Sequence, residues 1–71
     1  MTQTLKMGFV KWYNPADGFG IISPNDGGND LYVNRSAIAN SRNKTLTEGQ
    51  RVEFSTYLSS RGLSAADVIA Y

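Results

Sequence analysis

The sequence predicts an all-β protein in which five short strands close into a small barrel or sandwich. Three observations lead there. Turn-forming clusters interrupt the chain at short, regular intervals. The runs between them are rich in aromatic and β-branched residues or alternate in polarity. No segment repeats apolar residues every three to four positions over ten or more residues, so no substantial helix is expected. Closure follows because an open sheet of such strands would leave its edges unpaired.

The first strand is expected over residues 6–13 and ends at Asn14-Pro15-Ala16-Asp17-Gly18. The second, residues 19–23, stops at Pro24 and the polar turn Asn25-Asp26-Gly27-Gly28-Asn29. A third spans 30–35, followed by a single helical turn over 36–40 and a polar stretch to Lys44. Glu48-Gly49 introduces a fourth strand over 50–58, and Ser59-Ser60-Arg61-Gly62 turns the chain into a fifth over 63–71.

Alternation assigns faces to these strands. Leu31 and Val33 share one side of the third strand, leaving Tyr32 and Asn34 on the other. Gly20 and Ile22 oppose Phe19 and Ile21, while Val52, Phe54 and Thr56 oppose Arg51, Glu53 and Ser55. A core of Val10, Ile22, Leu31, Val33, Val52, Phe54 and Val68 then fills a narrow barrel, and Phe19 and Tyr32 turn outward.

Composition narrows the function. A chain of 71 residues is expected to form one domain, 1–71, of modest stability. With no cysteine and no histidine, it lacks a disulfide framework, a thiol nucleophile and the usual general base and metal ligands. No catalytic residue, metal site or cofactor is therefore expected, and the chain reads as a non-enzyme. Asp26 and Asp30 flank Gly27-Gly28-Asn29 as in a hairpin turn, without the oxygen-ligand spacing of a calcium loop. No apolar stretch suffices to cross a membrane, and MTQTLK lacks the apolar centre of a signal peptide, so a cytoplasmic location is expected. The net charge of +1 is a small surplus, so grouping of the cations on one face matters more than their total.

The outward aromatics supply the functional signal. Lys11-Trp12-Tyr13, Phe19 and Tyr32 fall on three consecutive strands, and Arg35 ends the third. One such ring alone is an ordinary cross-strand packing residue. Together they interleave rings with cations, the pattern that stacks bases and pairs phosphates of a single strand. Gly18 and Gly20 flank Phe19 and are expected to leave its ring open to flat approach, or to mark a bend in a coiled strand.

The same residues carry a resemblance to the bacterial cold-shock proteins, in register from 7 to 68. The family's first ribonucleoprotein motif, in outline K-G-F-G-F-I, stands here as Asp17-Gly18-Phe19-Gly20-Ile21-Ile22. Its second, V-F-V-H-F, appears as Leu31-Tyr32-Val33-Asn34-Arg35, and K-W-F-N as Lys11-Trp12-Tyr13-Asn14. Ser36-Ala37-Ile38, Glu48-Gly49-Gln50 and Arg61-Gly62 also match. The resemblance implies a five-stranded antiparallel barrel of the OB type that binds single-stranded RNA or DNA on strands one to three. It further implies an RNA chaperone that melts weak secondary structure and relieves transcription termination in a cold-shock response. An RNA-recognition motif also carries G-F-G-F, but its two substantial helices have no counterpart here.

Transferred position by position, the resemblance assigns nucleic-acid binding to Lys11, Trp12, Tyr13, Phe19, Ile21, Tyr32, Asn34, Arg35 and Arg61. Trp12, Phe19 and Tyr32 form the main platform, with Tyr13 at its margin. Lys11, Arg35 and Arg61 meet phosphate, and Ile21 and Asn34 shape the surface between. Ile21 stands where the family stacks a phenylalanine, Asn34 and Arg35 replace a histidine and a second aromatic, and Asp17 replaces a lysine. These changes predict weaker binding than is typical of the family. The alternative is a degenerate domain whose altered face serves protein interaction or dimerisation. A monomer is expected, with a strand-exchanged dimer as the alternative.

Overall fold

A computed structural model describes residues 5–39 and 44–71. Its strands are β1 (Lys6–Asn14), β2 (Phe19–Pro24), β3 (Leu31–Asn34), β4 (Arg51–Ser59) and β5 (Gly62–Ala70), each within one residue of the expected limits. One 3₁₀ turn, Arg35–Ala37, follows β3. The helical turn expected over 36–40 thus begins one residue early. The polar stretch that follows it falls largely on residues 40–43, outside the described residues.

The strands close in the order β1-β2-β3-β5-β4. Four joints are antiparallel, and the fifth, β3 to β5, is parallel through Tyr32 and Ser64. The five-stranded antiparallel barrel expected is thus present, with this one joint parallel. Directions cannot alternate all the way around a ring with an odd number of strands, so one neighbouring pair must run the same way. A parallel bridge between Ile38 and Val68, with Ala39 N–H donating to the Val68 carbonyl at 2.7 Å, continues the seam.

All seven expected core residues are buried, joined by Ile38, Leu46 and Ala65. Ile38 and Leu46 come from the connection between β3 and β4, where no strand periodicity marks them as interior. Burial departs from the expected faces at one point: Ser55 is buried and Thr56 exposed, although Thr56 pairs with the core residue Ala65. The β4–β5 register shifts between Glu53 and Ser55, where β5 advances three residues against two on β4, so the extra residue lies on β5 beside Asp67 at φ +52° and alternation breaks on that strand. Ser55 Oγ donates to the Ala66 carbonyl at 3.3 Å, which satisfies the buried hydroxyl.

A second irregularity positions the site. Between β1 and β2 the register passes from Val10–Ile22 directly to Trp12–Ile21, so Lys11 is an extra residue. Strict alternation from the buried Val10 would turn Trp12 inward. The bulge at Lys11 instead leaves both Lys11 and Trp12 outside, beside Ile21.

Candidate nucleic-acid interface

The outer face of β1–β3 is built in two rows. Trp12, Ile21 and Tyr32 lie side by side across the three strands, and β5 continues the row with Ser64. The neighbouring row places Phe19 between Asn14 and Asn34. The Phe19 ring therefore reaches both flanking aromatics. It stacks on Tyr32 with centroids 5.5 Å apart and planes inclined by 29°. Trp12 meets it edge-on at 6.3 Å and 72°. Both geometries suit aromatic quadrupoles, so the rings hold one another in place before any ligand arrives.

Cations border this cluster, each with its own engagement. Arg61 lies over the Phe19 ring, with Cζ 4.6 Å from the centroid. It comes from the β4–β5 turn, where its backbone N–H donates to Ser59 Oγ at 3.2 Å. Lys11 pairs with Asp30 at 2.9 Å in an exposed, salt-screened contact. The Arg35 guanidinium donates to the Pro15 carbonyl and lies on Gly18, which ties it to the β1–β2 turn. Asn34 Oδ1 accepts from the Ser36 N–H at 3.1 Å and caps the 3₁₀ turn.

Tyr13 lies apart from the platform. Its register partner is Gly20, on the interior-facing side, where its ring packs against the core and its hydroxyl donates to the Lys44 carbonyl at 3.2 Å. That placement explains Gly20. A Cβ there would strike the Trp12 carbonyl oxygen and come within 2.7 Å of Tyr13 Cδ1. Gly18 takes φ +66° to close the turn, with Arg35 packed on it. Close packing accounts for Gly20, while Gly18 answers to the positive φ of the turn, the bend expected as one reading, with Arg35 packed on it. The turn itself is held by Asn14, whose Oδ1 accepts from Ala16 N–H at 3.0 Å and whose carbonyl accepts from Gly18 N–H at 2.9 Å. Asp17 accepts from the Asn14 side-chain amide at 3.1 Å.

Two concavities flank Tyr32. On one side Lys11, Trp12, Ile21 and Asp30 line a shallow cleft. On the other, a cleft runs from Phe19 and Tyr32 to Tyr57, Ser59, Arg61 and Ser64 on the β4–β5 hairpin. Sequence reasoning missed Tyr57 and Ser64. Alternation from Phe54 turns Tyr57 outward, but only the parallel β3–β5 joint brings it beside Tyr32. Asp26, on the β2–β3 turn, is engaged locally: it accepts from Gly28 N–H at 2.8 Å and pairs with Lys6 at 2.9 Å. Among the described residues, no group of three or more His, Cys, Asp or Glu is arranged to hold a metal ion.

Comparison with known proteins bears on this surface. The family model described as the 'Cold-shock' DNA-binding domain matches residues 6–71. The Cold shock-like protein CspE of Escherichia coli (strain K12) is 54% identical over 63 residues, which cover 89% of this chain and 91% of that protein. Cold shock-like protein CspJ of Salmonella typhimurium (strain LT2) is 49% identical over 63 residues, covering 89% and 90%. Among solved structures, drosophila Unr CSD456 superimposes with a TM-score of 0.77 at 17% identity, over 97% of this chain and 27% of that longer one. At that identity the likeness concerns the fold.

Proposed function

The chain belongs to the cold-shock domain family, and on that premise we propose that it binds single-stranded RNA or DNA across Trp12, Phe19 and Tyr32 with little sequence preference. The observation that carries this reading is the continuous ring cluster capped by Arg61. Every base has a π-face, so stacking tolerates any sequence. A duplex keeps its bases paired and stacked, out of reach of these rings. A base that takes the Arg61 place on Phe19 exchanges a cation–π contact for stacking and releases the guanidinium toward phosphate.

Lys11 and Arg35 contribute further phosphate contacts from the rim, Ile21 and Asn34 shape the floor, and Tyr13 supports Gly20 from behind. Such a surface competes with weak hairpin pairing, which is the basis of RNA chaperone and antitermination activity in a cold-shock response. The domain acts by binding rather than catalysis, as one unit over 1–71, as a monomer, in the cytoplasm. No helix among the described residues is long and apolar enough to cross a membrane.

Trp12, the only tryptophan, reports on the platform directly. Oligo-dT is expected to quench its fluorescence saturably, whereas duplex DNA is not. Phe19→Ala should weaken oligo-dT binding about five- to a hundredfold, the range for loss of one stacking ring. Thr56→Ala, exposed on β4, serves as the control. Equal effects of the two substitutions, or absence of quenching at low salt, would remove the platform.

A further inference from the structure

We propose that the cleft between Tyr32 and Tyr57 is an additional nucleotide subsite, in which Tyr57 offers a fourth ring to a strand leaving the Trp12–Phe19–Tyr32 platform. The inference rests on the platform reading and extends it across the parallel seam.

Register carries the first part of the argument. Tyr32 pairs with Ser64, and Ser64 pairs with Tyr57, so the row that begins at Trp12 runs on to β4. Two rings thus flank one small residue. Neighbouring strands lie about 4.8 Å apart, which sets the Tyr32 and Tyr57 backbones roughly 10 Å apart along the row. Two rings that sandwich one base need about 7 Å, twice the 3.4 Å stacking distance. Ser64 therefore forms the floor of a slot wide enough for a base. Tyr57 is 49% exposed, so its ring is not consumed by packing.

Charge and rigidity carry the second part. Arg61 borders this cleft, and no carboxylate lines it. The cleft on the other side of Tyr32 contains Asp30, and the one beside Arg35 contains Asp17. Among the described residues that line these three clefts, a phosphate that follows a base past Tyr32 thus meets a cation unopposed on the hairpin side. The floor is also fixed in advance. Ser59 Oγ and Ser64 Oγ lie 2.7 Å apart, and Ser59 Oγ donates to the Gly62 carbonyl at 3.0 Å. These bonds brace the turn that presents Arg61 and reduce the ordering cost of binding.

The test is a length series read by Trp12 fluorescence, with oligo-dT from about four to about eight nucleotides, the lower part of the site-size range for one barrel of this kind. Wild-type affinity should rise as the strand grows long enough to reach Tyr57. Tyr57→Ala should lose that rise, weakening the longest strand about fivefold or more while leaving the shortest within about twofold. Tyr57→Phe should behave as wild type. Tyr57→Leu, which keeps apolar bulk without a π-face, should behave as Tyr57→Ala and serves if the alanine variant does not fold. Wild-type behaviour of Tyr57→Leu, or an equal loss at every length, would overturn the subsite while the platform stands. Failure of wild type to bind any single strand would instead overturn the platform, and the subsite with it.

Discussion

Asp17 places a carboxylate beside Gly18, in the concavity that Arg35 borders, and the proposed strand path would bring a phosphate toward it. It borders the same concavity as Arg35 and Lys44 and opposes their field. Because Asn14 supplies the hydrogen bonds that hold the turn, residue 17 can change without loss of the backbone conformation. Asp17→Lys should therefore tighten oligo-dT binding at low salt. It should also steepen the log–log salt slope by about 0.7, the value for one added phosphate contact on a single strand. Titrations at several salt concentrations check this, and an unchanged slope would place residue 17 outside the reach of the strand. The neighbouring glycines teach a related lesson. Gly18 and Gly20 are legible as special positions in the sequence, but the positive φ under Arg35 at one and the Trp12 carbonyl and Tyr13 ring against the other are visible only in the fold.

At the scale of the element, bulges and turns decide which side chains meet. The extra residue at Lys11 keeps Trp12 on the outer face, and the extra residue near Asp67 lets Ala65 and Val68, three positions apart on β5, both reach the core. Nothing in residue polarity announces either irregularity, since a bulge is a property of a strand pair. The β2–β3 turn has its own electrostatic brace. Hydrogen bonds from the Lys6 ammonium, first, and the Gly28 N–H hold the Asp26 carboxyl below its ordinary value of 3.8. A carboxyl with a depressed folded-state pKa stabilises the fold above its unfolded pKa, and that contribution disappears as pH falls through the folded value. The melting temperature of wild type should thus fall more steeply than that of Asp26→Asn between about pH 5 and about pH 2, with the difference vanishing at the acid end. The exposure of the pair keeps the effect small. Parallel pH profiles for the two proteins would show the brace to be idle.

At the scale of the molecule, stability is concentrated in one narrow core. Phe54 is among the largest fully buried side chains, and its ring lies close behind Gly8. Phe54→Ala should cost about 3–5 kcal/mol. Against roughly 4–10 kcal/mol for a chain of this length, that is a large share of the total. Leu58 is 81% exposed, so Leu58→Ala should change stability by less than about 0.5 kcal/mol. Urea denaturation of the two variants measures both, and similar midpoints would show that the core is not where the structure places it.

The sequence by itself determined the strand limits, the all-β class and seven of the residues that fill the barrel, though not Ile38, Leu46 or Ala65. These follow from turn chemistry and from period-two alternation, which are local properties of the chain. It also put Trp12, Phe19 and Tyr32 on one surface, through motifs that span adjacent strands. The tertiary structure alone decided that Arg61 lies over the Phe19 ring, that Tyr13 turns from the rings to the core, and that Tyr57 joins the Tyr32 row. Each depends on how distant strands are registered: Arg61 reaches Phe19 from β4–β5, and Ser64 pairs with both Tyr32 and Tyr57. Closure of five strands makes one parallel seam unavoidable, but only folding selects the residues that meet across it.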